Sequence, residues 1–389
     1  MKIGLITDSV SHLPFEAALD LAQHLGLSSV EVATGNWSEA PHADLAALVS
    51  SEGARGEFIG KITSRGLALS ALTANGNQLH PTSGKEQDQV VHDTIEVASA
   101  LGVPTVVLMS GLPGAHGDSS PNWVTTSWPP ENLEILDYQW NEVAIPYWKE
   151  LAAFAREKGV KLAVEACGGQ LVYSTSTMLR LIEATGGDVV GANLDPSHLM
   201  WMGADIPTVI RTLGEAIFHV HAKDIRVNYW ISARDGLLDT VPITEPGARA
   251  WNYVTLGLGH PGGATFWADF VYNLRRHAQH RARGRAGQLR GGSTQGDGSA
   301  QTSRSRRTTG LDASKRMTSA SAAIRPRLSR TGTFGTVTSR STPTHVYFCQ
   351  CSFLCSTVRK ASSLGPSLYR SWRMYSSPGK EKWRVSPAR

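Results

Sequence analysis

The chain has 389 residues, 38 Lys and Arg against 33 Asp and Glu, a net charge of +5 and an isoelectric point near 9.0. These averages hide a division at Arg276: residues 1–276 carry 17 basic and 30 acidic side chains (net −13), whereas residues 277–389 carry 21 and 3 (net +18). Only Cys167 of the four cysteines lies in the first part, which excludes a disulfide framework there. No apolar run reaches the roughly 18 residues of a membrane span, and Asp8 interrupts the stretch an export signal would need. A cytoplasmic protein without a membrane partner is expected.

From the amino terminus, short β-branched and aliphatic runs predict strands at Ile3–Thr7, Ser29–Val32, Leu67–Leu72, Thr105–Met109, Lys161–Glu165, Val189–Leu194 and Phe218–His221. Helical stripes lie between and after them: Phe15, Ala18, Leu19 and Ala22; Trp148, Leu151, Ala152 and Ala155; Trp267, Phe270, Val271 and Leu274. Two long inserts, roughly 111–137 and 226–259, follow the fourth and seventh strands, where active-site loops are expected. This alternation predicts an α/β fold, a TIM (β/α)8-type barrel over 1–276 with seven recognisable strands. The eighth should begin shortly after Arg276. The sequence there is HAQHRARGRAGQLRGG, which cannot be a buried strand, so the eighth strand is read as lost.

In a parallel barrel the carboxyl ends of the strands floor the active site. Glu165, Asp195 and His221 fall at that end of three successive strands, and two carboxylates with an imidazole suit a divalent ion such as Mn²⁺, Mg²⁺, Co²⁺ or Zn²⁺ with open positions for substrate oxygens. His198, just past Asp195, is placed to reach a substrate hydroxyl. Lys223 and Asp224 follow His221 and are expected to support the ligands from behind, Asp224 by orienting an imidazole. His219 is expected to face the opposite side of its strand from His221. Asn77 and His80 after the third strand, together with Trp251 and His260 in and after the second insert, are the remaining candidates for substrate contact. Asn75, His116 and Trp123 lie near the same mouth. Rings covering C–H faces and polar groups reading hydroxyls suit a polyhydroxylated ligand.

The strings VEACGGQLVYS, GANLDPSHLMWMGAD, IFHVHAKD and WNYVTLGLGHPGGATFWADF resemble the xylose-isomerase-like TIM-barrel superfamily, specifically its sugar phosphate isomerase/epimerase branch, over about residues 1–276. The resemblance implies that Glu165, Asp195 and His221 are metal ligands, that Glu165 is also one of two catalytic glutamates, and that His198 binds substrate. It implies a metal-dependent sugar or sugar-phosphate isomerase/epimerase that moves a proton through an enediolate. The second glutamate belongs on strand eight and has no counterpart here. Cys167 stands where many relatives carry His.

The last 113 residues contain 31 Ser or Thr and no steady helical period. They are read as a basic Ser/Arg-rich tail of low order, with the composition that a GC-rich coding sequence gives when translated out of frame. Taken as a genuine arm, a +18 tail would attract phosphates. The alternatives are then an apurinic-site endonuclease-like barrel with a nucleic-acid-binding tail, or a catalytically inactive barrel. Cys349, Cys351 and Cys355 form at most half of a zinc pattern.

Overall fold

The computed structural model describes residues 2–290 and 345–348, with side chains through residue 276. Seven parallel strands run in chain order around a barrel: β1 (Lys2–Ile6), β2 (Ser29–Ala33), β3 (Ala68–Thr73), β4 (Thr105–Met109), β5 (Lys161–Glu165), β6 (Val190–Leu194) and β7 (Ile217–Ala222). Helices return the chain between them, as the right-handed β-α-β rule requires of parallel neighbours. The predicted stripes face inward. Ala18, Leu19 and Ala22 of the helix Phe15–His24 are buried, as are Trp148, Leu151, Ala152 and Ala155 of the helix Ile145–Glu157.

Alternation along the strands sorts the side chains into two sets. Val30 and Val32 of β2, Val106 and Leu108 of β4, Leu162 and Val164 of β5, and Val220 and Ala222 of β7 join the core beneath the helices. Their neighbours turn into the barrel. Ala71, Val107 and Ala163 form a small apolar layer there, and a polar group from β2, β3, β5, β6 and β7 shares the interior with it. Gly191 is required at this level, because a Cβ would fall 2.6 Å from the Phe218 ring.

Two inserts depart from plain loops. After β7 the chain forms an antiparallel ribbon of β8 (Asp224–Val227) and β9 (Trp251–Val254), with a short helix, Tyr229–Asp235, between them. The first insert is irregular until the helix Glu131–Asp137.

No strand begins directly after Arg276, because the helix Gly263–Arg290 runs through that point. The eighth position is taken by β10 (His345–Phe348), parallel to both edges, with Lys2 opposite His345 and His221 opposite Tyr347. The ring is therefore closed in the order β1-β10-β7-β6-β5-β4-β3-β2. The rest of the tail, including its three cysteines, lies outside the described residues. No helix among the described residues is long and apolar enough to cross a membrane.

Candidate metal centre

The ends of β5, β6 and β7 bring Glu165, Asp195 and His221 together: one ligand atom from each lies within 4.8 Å of the others, and all three residues are buried. Glu165 Oε2 is 3.1 Å from His221 Nδ1. Asn193, one turn of the pleat before Asp195, donates from Nδ2 to Glu165 Oε2 at 2.9 Å and lies 3.0 Å from His221 Nδ1. Asp195 caps the helix Pro196–Trp201: its Oδ1 accepts from the Ser197 amide at 2.9 Å and hydroxyl at 2.6 Å. Its buried Oδ2 makes no hydrogen bond, although Lys223 Nζ is 3.3 Å away. An oxygen taken out of water without a hydrogen bond is costly. Two buried carboxylates, Glu165 and Asp195, and the His221 imidazole fit a divalent ion.

His198 joins the cluster directly. Its Nε2 is 2.9 Å from Glu165 Oε1 and 3.1 Å from Lys223 Nζ, so its proton is contested. Protonated, the nitrogen donates to Glu165; unprotonated, it accepts from Lys223. On the other side, Nδ1 lies 2.9 Å from the Tyr253 hydroxyl and 3.3 Å from Cys167 Sγ. Lys223 thus touches Asp195 and His198 themselves instead of standing behind the ligands, and its ammonium lies 4.2 Å from the centre of the Tyr253 ring.

Charge is balanced inside the barrel. Burial pushes Glu165 upward, but His198 and His221 more than offset this and hold its carboxyl well below the usual range. Burial disfavours the imidazolium of His221, yet Glu31 and Glu165 on either side push it up to about 10. His198 is also raised to about 10: burial opposes its charge, Cys167 and Asp195 favour it, and Lys223 opposes it.

Glu31 is the residue that the strand-end search missed. It sits fully buried on β2, in SVEVA, and crosses the barrel interior: Oε2 is 2.7 Å from His219 Nε2, and both carboxylate oxygens are 3.1 Å from His221 Nε2. Thr73 of β3 donates its hydroxyl to Oε1. His221 and His219 approach this one carboxylate together, which corrects the expectation that they face opposite ways. They are two residues apart, and a two-residue period returns the side chain to the same face. Alternation also marks Glu31, a charge between two core valines. Asn193 and Tyr253 were missed for want of a charge or a strand-end position.

The remaining candidates have other partners. Asn77 straps the first insert, exchanging hydrogen bonds with the Leu112 amide and carbonyl at 2.8 and 3.1 Å. His80 Nδ1 accepts from the Thr82 and Ser83 amides at 3.2 Å each, a local turn. Trp251 spends its indole N–H on the Leu237 carbonyl at 3.0 Å and stacks on Trp201 with centroids 4.8 Å apart; Tyr253 is the ribbon residue that reaches His198. His260 accepts from the Gly262 amide at 3.0 Å and stacks on Phe266 at 4.0 Å. His116 packs edge-on against Tyr138 and Trp123 against Tyr173.

Asp224 does not orient an imidazole. Its carboxylate gathers the amides of Gly257 (2.8 Å), Gly259 (3.2 Å) and His260 (2.9 Å) and the Trp267 indole N–H (3.2 Å), so it anchors the loop after β9. A Cβ on Gly259 would meet Asp224 Oδ1 at 2.6 Å; this close approach is why a glycine stands there. The charge beside His221 in sequence is drawn to the loop because the loop offers three amides with no other acceptor of comparable strength.

The chain belongs to the xylose isomerase-like TIM barrel family, whose model matches residues 19–271. The uncharacterized protein YfiH of Bacillus subtilis (strain 168) is 48% identical over 275 residues, 69% of this chain and 87% of that protein. An inosose dehydratase of Clostridium perfringens is 35% identical over 86 residues, 20% of this chain and 29% of that protein. Among solved structures, a probable 3-DHS dehydratase, AsbF, involved in petrobactin synthesis from Bacillus anthracis, superposes with a TM-score of 0.51 at 14% identity, over 71% of this chain and 89% of that one. That likeness is one of fold.

Proposed function

We propose that the barrel is a divalent-metal-dependent isomerase or epimerase of a sugar or sugar phosphate, with Glu165, Asp195 and His221 as ligands. The observation that carries this reading is the convergence of their three ligand atoms within 4.8 Å at the mouth of successive strands. A bound ion would act as a Lewis acid on adjacent carbonyl and hydroxyl oxygens of the substrate. Glu165 takes the proton from the hydroxyl-bearing carbon next to the carbonyl, since its low pKa keeps it ionised and burial keeps water from competing. His198, within 3.1 Å of both Glu165 and Lys223, holds the proton that moves on the oxygen side. Mn²⁺, Mg²⁺, Co²⁺ and Zn²⁺ all accept this donor set.

A dehydratase is the second reading. Epimerisation needs a base on each face of the carbon, whereas elimination of water needs one base and one acid, and the described interior offers Glu165 with His198 in that relation. The inosose dehydratase similarity supports it. Proton NMR of the manganese-free, Zn²⁺- or Mg²⁺-loaded protein with ketoses and with cyclitol ketones in D₂O separates the two. Deuterium uptake at the carbon beside the carbonyl with retained hydroxyls indicates epimerisation; loss of a hydroxyl with a new enone indicates dehydration. Neither change with any such substrate would leave a catalytically inactive barrel.

Metal uptake should depend on pH in a defined direction. Because His221 is raised to about 10 in the metal-free protein, its ligand nitrogen must lose a proton before it can coordinate. Apparent affinity is therefore expected to rise by up to about tenfold per pH unit between pH 6 and 9. Calorimetric titration with Zn²⁺ in buffers of different ionisation enthalpy checks this; pH-independent uptake without proton release would contradict it.

A further inference from the structure

We propose that Glu31 is the positioning residue of this centre: by accepting the Nε2–H of His221 it selects Nδ1 as the nitrogen presented to the ion. The inference rests on the metal reading above and adds a residue on the far side of the barrel to it.

His221 is gripped at both nitrogens. Nδ1 faces Glu165 and Asn193 at 3.1 and 3.0 Å, on the side where Asp195 completes the trio. Nε2 faces Glu31, equidistant from its two oxygens at 3.1 Å. An imidazole that coordinates through one nitrogen keeps its proton on the other, and an acceptor for that proton fixes both tautomer and ring plane. Glu31 is equipped for the task because it cannot swing away. The Thr73 hydroxyl from β3 and His219 Nε2, at 2.7 Å, occupy the same carboxylate. His219 reaches Glu31 through Nε2. The links Thr73–Glu31–His221 therefore tie β2 and β3 to a site whose ligands come from β5 to β7.

Glu31, His219 and His221 also form a compact group that could itself hold an ion. That arrangement would need Nε2 of His221 as the ligand and would displace the Thr73 and histidine hydrogen bonds from Glu31. Asp195 Oδ2, buried without a hydrogen bond on the opposite side, favours the ion there.

The test uses the full 389-residue chain. In the Zn²⁺-loaded protein, ¹⁵N-edited NMR of labelled histidine is expected to show His221 with a protonated Nε2 and a metal-shifted Nδ1; a metal-shifted Nε2 overturns the proposal. Glu31→Gln is expected to lower Zn²⁺ affinity by about 10- to 100-fold, the range seen when the acceptor behind a ligating imidazole is removed. Unchanged affinity in a folded Glu31→Gln protein overturns it. Thr73→Val, which removes only a hydroxyl from Glu31, covers the case in which Glu31→Gln fails to fold: a severalfold loss supports the relay and none refutes it. Wild-type protein that takes up no divalent ion overturns the metal centre and this inference together, whereas wild-type uptake with unaffected variants overturns the role of Glu31 alone.

Discussion

Replacing residues 277–389 by a strand and helix read from another frame of the same gene, with a glutamate at the strand's carboxyl end, is expected to raise divalent-metal affinity by about 10- to 100-fold or more and to bring out turnover of ketoses. The basis is a missing donor. The family resemblance places a fourth ligand, which is also the second base, on strand eight, and the segment found in that position, His345–Phe348, contains no carboxylate. Its one residue of a metal-binding type, His345, is in register with Lys2, the first residue of β1. Three donors hold an ion with an open face, so removal of a fourth lowers affinity by at least the 10- to 100-fold that a supporting residue is worth. Isothermal titration with Mn²⁺ or Co²⁺ on both chains measures the difference. Tight stoichiometric metal and brisk epimerase activity in the 389-residue protein would contradict the expectation, as would the absence of any frame encoding such a strand. A genuine arm would instead show salt-dependent DNA binding that disappears with residues 277–389, because its +18 charge would act through phosphates.

Glu165→Gln in the restored protein is expected to reduce proton exchange at the substrate carbon by about 10²–10⁴-fold, the range for loss of a positioned general base. The amide keeps the shape of the carboxylate and one oxygen for the Asn193 hydrogen bond, so the far-ultraviolet circular dichroism should match that of the parent. It cannot serve as a base, and it removes one of two carboxylates that raise His221. Metal affinity should fall as well. Deuterium incorporation from D₂O, followed by NMR, reads the chemistry separately from the metal titration. Wild-type exchange rates in a metal-replete Glu165→Gln protein would move the catalytic role to another group.

The barrel was legible because each of its main signals is local. Runs such as TVVLM and KLAVE are too apolar and too short to be anything but buried strands, and the helix stripes at Phe15, Trp148 and Trp267 carry the 3.6-residue period in adjacent residues. Strand ends are also local features, so Glu165, Asp195, His221 and His198 could be grouped from position alone. The failures have a common form. Asn77, His80, Trp251 and His260 have suitable chemistry near the right end of the barrel, but each turns to a backbone or ring partner, Asn77 to Leu112 of the first insert and Trp251 to Trp201. Asp224 is captured in the same way by three loop amides, a preference that depends on the loop's fold and not on the residues beside it.

Sequence by itself determined the acidic α/β barrel, the placing of Glu165, Asp195 and His221 at the ends of β5 to β7 and the break in composition at residue 276. Tertiary structure alone decided that Glu31 meets His219 and His221, since 190 residues separate Glu31 from His221 and only closure of the sheet brings β2 across from β7. It also decided that Lys223 and Tyr253 converge on His198. Periodicity fixes which face of a strand a side chain occupies; curvature of the whole ring fixes what it finds there.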